Sequence, residues 1–215
     1  VVFGGRSSEH EVSLASARNV MDALERSGYT VVPIGITPQG RWLTSGSPMQ
    51  QLADSAANPG LARFGAANGH AQPDPLQASQ DRWALLPSAG KEQRLPAVDV
   101  IFPVLHGPYG EDGTIQGLLE MANLPYVGCG VLSSAVAMDK AVAKRLFAVE
   151  GLPQAAYDVV TRKAWQQNPG AVCAALEQAL RYPLFVKPAN LGSSVGISKA
   201  RTRAELATAL ELTEG

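Results

Sequence analysis

Cysteine is almost missing. Cys129 and Cys173 are the only two in 215 residues, far apart and in no metal-ligand or redox spacing, so a disulfide framework is excluded. Both are expected to be buried, reduced thiols. A surplus of positive charge is also lacking: the formal net charge is −1 and no run of Lys or Arg stands out. That argues against a nucleic-acid partner. No segment reaches the roughly eighteen uninterrupted apolar residues that span a bilayer. No charged-then-apolar leader opens the chain, which points to the cytoplasm. Two phosphate-binding fingerprints are absent as well. There is no G-K-[ST] of a Walker A loop, and no G-x-G-x-x-G between a strand and a helix.

What is present is a foldable chain. Apolar residues make up 46%, which excludes disorder of the whole, and the length allows one or two domains. Val1 opens inside a strand-like run and Gly215 closes at a helix, so the sequence is expected to be part of a longer protein.

The N-terminal portion alternates strands and helices. "VVFGG" reads as a buried strand ending in a glycine turn. "EVSLASARNVMDALERSG" follows as a helix with Val12, Ala15, Ala17, Val20, Met21 and Leu24 on its apolar face and Gly28 as its stop. "TVVPIGI" is strand-like, and Pro33 restricts it to an edge or a bulge. Residues 44–96 lose the pattern and read as an insertion, with a helix and a hairpin and short apolar islands at 61–64 and 83–86. "VDVIFPVLHG" is a strand; "TIQGLLEMANL" is an amphipathic helix carrying Ile115, Leu118, Leu119 and Ala122; "PYVG" is a short strand. Such alternation implies a parallel sheet with helices on its faces, one α/β domain over residues 1–128.

A second unit is expected over residues 129–215. Ser133 or Asp139 can cap a helix that Gly151 and Pro153 end. "YDVVT" reads as a strand, Asn168-Pro169 as a helix start, and Thr202 with Glu205 as a capping box. Between them "PLFVKP" and "VGISKA" flank a Gly/Ser segment, so this loop joins strand to strand. It is expected to act as a hairpin flap rather than as a helix N-terminus, able to cover a polyphosphate and shut out water.

Three stretches carry candidate chemistry. "GGRSSEHEVS" (4–13) falls at a strand's carboxyl end, where open α/β sheets bind ligands. There Glu9 and Glu11 could hold a ligand ammonium, or could merely decorate a helix start, where acids are favoured. "HGPYGEDGTIQG" (106–117) combines four glycines with His106, Glu111 and Asp112, either shaped around a ligand or capping a helix at Asp112. "VKPANLGSSVGIS" (186–198) brings Lys187, and Lys140 stands on the preceding helix; two lysines beside donor-rich Ser and Gly suit phosphate oxygens.

Taken in order, "GGRSSEHEVSL", "HGPYGEDGTIQGLLEMANLPYVGCGVLSSAVAMDK" and "VKPANLGSSVGISK" closely resemble the D-alanine–D-alanine ligase family of ATP-grasp enzymes. The likeness covers nearly the whole chain outside 44–96. It implies an N-terminal parallel-sheet domain, Rossmann-like and of pre-ATP-grasp type, followed by the α+β central subdomain of an ATP-grasp fold. It implies ATP-dependent joining of two D-alanines through an acyl phosphate for peptidoglycan precursors, with ATP and Mg2+ required and often a homodimer. By the same resemblance Glu9 grips the first alanine's ammonium and bonds to Ser193, and His106 lines that alanine's pocket. Lys140 and Lys187 contact ATP phosphates, and Gly192, Ser193, Ser194 and Gly196 belong to the lid over the nucleotide. The family's C-terminal subdomain, with its metal-binding acids and phosphate-side arginine, is expected beyond residue 215. No metal ligand is therefore assigned here, Glu111 and Asp112 included, and this portion alone is expected to be inactive. The competing readings are a relative making D-alanyl-D-lactate or another product, a different ATP-grasp ligase, and a non-catalytic α/β ligand-binding module.

Overall fold

The computed structural model describes residues 1–57, 98–192 and 196–214. It divides into two compact units, Val1–Ala135 and Val136–Gly215. In the first, strands β1 (Val2–Gly4), β2 (Ile34–Ile36), β3 (Trp42–Leu43) and β4 (Pro103–Leu105) form one sheet in the order β3-β2-β1-β4. β1 runs parallel to both β2 and β4, and only β3 is antiparallel. A parallel bridge between Ile101 and Tyr126 extends the sheet past β4, with Val127 N donating to Ile101 O at 2.9 Å.

Alternation along β1 assigns its two faces. Phe3 packs with Leu14, Ala17, Leu52 and Val104 beneath helices α1 (His10–Arg26) and α2 (Pro48–Ala57). Val2 packs with Ile34, Ile36, Ile101, Leu105, Ile115 and Leu119 beneath α3 (Thr114–Met121) on the other face. Phe3 and Leu119, 0% and 1% exposed, each contribute about 1.5–3 kcal/mol by burial. The chain thus leaves β1 over one face towards β2, and leaves β4 over the opposite face. The gap between the carboxyl ends of β1 and β4 is a topological switch point, the place where open α/β sheets form a crevice.

Helix α4 (Val131–Met138) crosses the boundary between the units, and α5 (Lys140–Val149), α6 (Arg162–Gln167) and α7 (Pro169–Ala179) follow in the second. The antiparallel hairpin of β5 (Leu184–Val186) and β6 (Ser198–Ala200) comes next, then α8 (Arg203–Glu214). Their core is Trp165, Cys173, Leu176, Ala200 and Leu206. The capping signals act, although Glu205 Oε2 accepts from Arg201 N at 2.7 Å, so the expected capping box forms only its Thr202 half. Asn168 Oδ1 accepts from Ala171 N at 2.9 Å with Pro169 in the first turn, and Thr202 Oγ1 accepts from Glu205 N at 3.3 Å. Asp139, not Ser133, caps α5; Ser133 lies inside α4.

Several local expectations give way. β2 starts after Pro33 and lies inside the sheet, because a proline that only precedes a strand removes no ladder donor. Val12 and Ala15 are exposed, and the buried face of α1 is His10, Ser13, Leu14 and Ala17, since two of its polar side chains find partners on the sheet. Cys173 is buried but Cys129 is exposed. "YDVVT" forms no strand among the described residues: Val160 packs on the core and Val159 faces out, yet no neighbouring chain pairs with them. Within the expected insertion, α2 lies inside the described part, whereas the islands at 61–64 and 83–86 lie outside it.

Candidate functional site

In the first unit the switch point gathers both glycine-rich loops. Ser7 Oγ donates to His106 O at 2.6 Å and accepts from Glu9 N at 3.2 Å, tying the loop after β1 to the loop after β4. Glu9, only 6% exposed, precedes the first turn of α1. Its carboxylate lies against Gly107: a Cβ built there would stand 2.8 Å from Glu9 Oε2. Gly107 has φ +69, so both its backbone and the approach of the acid call for glycine. The structure therefore brings Glu9 and His106 to one place. His106 also reaches α1, with Nε2 3.4 Å from Ser16 Oγ. Glu11 lies exposed in the first turn of α1, where acids are favoured anyway.

Glu111 and Asp112 serve the loop itself. Glu111 Oε2 accepts from Gly107 N at 2.7 Å, and Asp112 accepts from Tyr109 N at 2.9 Å and Thr114 N at 3.0 Å. Partial burial pushes the Asp112 carboxyl upward, but the amides of Tyr109 and Thr114 together outweigh it and hold the group below its usual range. Two further residues carry this site without having been singled out in the sequence. Ser13 Oγ, fully buried on α1, accepts from Gly4 N at 2.8 Å and donates to Val104 O, joining β1 to β4 at the switch point. The His10 ring places Nδ1 2.8 Å from Gly5 O, which identifies that nitrogen as the donor. The available signal was a Ser and a His beside Leu14 and Ala17 on a helical stripe, polar where the period calls for apolar.

In the second unit, the hairpin joins Lys187 to Lys140. Asp139 Oδ1 caps α5 through Ala141 N and Val142 N at 2.9 and 3.0 Å. Its Oδ2 takes the Asn190 amide at 3.0 Å, in the orientation that satisfies that side chain. Lys140 N donates to Ala189 O at 3.0 Å, and Lys140 Nζ donates to Leu191 O. Desolvation, and then repulsion from Lys187, lower the pKa of Lys140; Asp139 opposes them. The Lys187 charge thus disfavours the charge on Lys140, an effect an anion would relieve. Leu184 and Val186 pack on the core, so alternation turns Phe185 and Lys187 to the other face. On that face Lys199, paired in register with Phe185, places Nζ 5.5 Å from its ring centroid. Gly196 closes the base of the loop, since its Cβ would stand 2.8 Å from Pro188 Cγ at φ +71. Gly192 is half-buried in the loop's first arm; Ser193 and Ser194 lie outside the described residues.

Among the described residues no group of three or more His, Cys, Asp or Glu could hold a metal ion. No helix among them is long and apolar enough to cross a membrane.

Comparison with known proteins gives a consistent result. The family model for the D-Ala D-Ala ligase N-terminus matches residues 1–129, and that for the D-Ala D-Ala ligase C-terminus matches 146–214. A D-alanine–D-alanine ligase of Heliobacterium modesticaldum is 49% identical over 211 residues, covering 98% of this chain and 55% of that protein. The solved D-alanine-D-alanine ligase of Coxiella burnetii superposes with a TM-score of 0.73 at 34% identity, over 99% of this chain and 58% of its own. The VanG D-Ala:D-Ser ligase of Enterococcus faecalis gives 0.70 at 35% identity, over 99% and 57%. The chain spans about half the length of the curated relatives it matches. With both family models matching in order, this chain belongs to the D-alanine–D-alanine ligase family.

Proposed function

We propose that the complete protein joins two D-alanines at the expense of ATP, and that this chain supplies the first-alanine site and part of the nucleotide site. The observation that carries the reading is the buried Glu9 carboxylate at the β1/β4 switch point, set against Gly107 and next to His106. A zwitterionic amino acid needs a fixed negative charge for its ammonium, and a charge-assisted hydrogen bond to a largely desolvated carboxylate supplies it. His106 lines the same pocket. In the second unit, Lys140 and Lys187 hold the phosphates as point charges, and the exposed Phe185 ring lies on the same face of the hairpin as Lys187.

In this reading the first alanine's carboxylate attacks the γ-phosphorus of ATP and ADP leaves, giving an acyl phosphate. The amine of the second alanine then attacks the acyl carbon, loses a proton and expels inorganic phosphate. Two anions meet in the first step, which is why cations must stand ready at the phosphates. The acyl phosphate would hydrolyse in open water, and the loop of Gly192, Ser193, Ser194 and Gly196 is assigned to exclude it. Magnesium, when bound, would neutralise phosphate charge; its ligands are assigned to the part of the protein beyond this chain.

A second reading is favoured by one finding, the similarly close match to a D-Ala:D-Ser ligase. The portion in hand fits either second substrate. The test is phosphate release by the full-length protein with ATP and D-alanine, and with D-serine or D-lactate added as acceptor. D-alanine-dependent release is expected. Glu9→Gln is expected to raise the KM for the first alanine with little change in that for ATP, and Lys187→Ala to do the reverse. Release that ignores D-alanine overturns the ligase reading; D-dipeptide formation only with D-serine replaces the second substrate.

A further inference from the structure

We propose that Arg6 is a positioning residue whose guanidinium, stacked on Tyr109, clamps the loop after β1 to the loop after β4 and so holds Glu9 and His106 in register. The proposal rests on the ligase reading for its kinetic arm only. The two loops are fastened at their base by Ser7 Oγ on His106 O. Arg6 supplies a second fastener: its Cζ stands 5.0 Å from the centroid of the Tyr109 ring. The stem of Arg6 is itself braced, because it lies over Gly40, where a Cβ would stand 3.0 Å from Arg6 Cδ. One side chain therefore touches the turn between β2 and β3 and spans the loops after β1 and β4, all three at the same end of the sheet.

Tyr109 is built to receive it. Its φ of +68 is a left-handed conformation that a bulky residue adopts only when its surroundings impose it. Two contacts impose it: Tyr109 N donates to Asp112 Oδ2, and Arg6 covers the ring. Both side chains are exposed, so removing either leaves the two cores of the sheet intact. They act by fixing the angle between the loops that carry Glu9 and His106.

The experiment combines hydrogen exchange and kinetics on the full-length protein bearing Arg6→Ala, Tyr109→Ala, Tyr109→Phe and the double Arg6→Ala/Tyr109→Ala. An exposed cation–π pair corresponds to about two- to fivefold in an equilibrium. Amide exchange across residues 106–112 is expected to speed up by that factor in both alanine variants and to stay at the parental rate in Tyr109→Phe, which keeps the ring. The KM for the first D-alanine should rise by a similar factor with ATP KM unmoved, and the double variant should be no worse than either single. Unchanged loop exchange in Arg6→Ala, a Tyr109→Phe as damaging as Tyr109→Ala, or singles that multiply in the double each overturn the clamp. If the parent shows no D-alanine-dependent turnover, the ligase reading fails, and the exchange arm still decides whether the clamp exists.

Discussion

Replacing Gly107 with alanine separates backbone strain from displacement of the acid that is proposed to bind substrate. Gly107 sits at φ +69, a conformation that costs an alanine about 1–2 kcal/mol. The new methyl would also stand 2.8 Å from Glu9 Oε2 and 3.2 Å from Ser7 Cβ. To restore ordinary contact the carboxylate must retreat by roughly half an ångström. A misplacement of that size in a binding group corresponds to a loss on the order of tenfold in kcat/KM, given that a full ångström can cost about a hundredfold. Gly28 is the matched control. Its φ is +84, and an added Cβ meets nothing within 4 Å, so Gly28→Ala carries the backbone penalty alone. Urea denaturation of the full-length variants should show the backbone loss in Gly28→Ala and a loss at least as large in Gly107→Ala, where the close contacts add to it. Steady-state kinetics at saturating ATP should show a raised KM for the first D-alanine in Gly107→Ala and none in Gly28→Ala. Should Gly107→Ala lose stability yet keep the parental KM, Glu9 is not the ammonium's partner.

Two further outcomes follow from the same loops. Ser13→Ala removes a hydroxyl that serves a donor on β1 and an acceptor on β4, and is expected to destabilise the protein by about 1–2 kcal/mol in urea denaturation. The figure stays at the lower end because Gly4 N and Val104 O lie side by side in the ladder and can partly serve each other; a loss below about 0.5 kcal/mol would refute the bridging role. For Asp112 the folded-state pKa lies below the usual 3.8, so the unfolded chain binds the proton more tightly. Its contribution is therefore complete above 3.8 and fades as pH falls through the folded value. Asp112→Asn should be less stable than the parent near neutral pH, with the gap in denaturation midpoint closing below that range. A gap that persists in acid would refute the charge-assisted bonds to Tyr109 and Thr114.

Much of the architecture could be read locally. The helices α1, α3 and α7 follow from apolar period and from Gly28 and Asn168-Pro169, because these signals act within one turn of chain. The β5–β6 hairpin followed from two short apolar runs around a Gly/Ser segment. What could not be read depends on neighbours distant in sequence. Ser13 is buried because its acceptor, Val104, lies 91 residues away, and nothing near Ser13 announces it. Pro33 looked like an edge marker because the rule concerns ladder donors, and only the strand order reveals that the ladder begins one residue later. "YDVVT" has the alternation of a strand, but a strand also needs a partner, which alternation does not supply. At the site, Glu9, His106, Lys140 and Lys187 were legible as residue types in suspicious loops. Their pairing, Glu9 with the Gly107 loop and Lys140 with the hairpin's first arm, was not.

The start of α5 and the shoulder of the hairpin are bolted together at three points, at Asn190, Ala189 and Leu191. Asp139 holds both the helix amides and Asn190, while the backbone and the ammonium of Lys140 hold Ala189 and Leu191. A joint with that many fixings resists a pivot between residues 189 and 191. Rotation of the helix is passed to the shoulder as through a lever, and whatever swings must be hinged elsewhere.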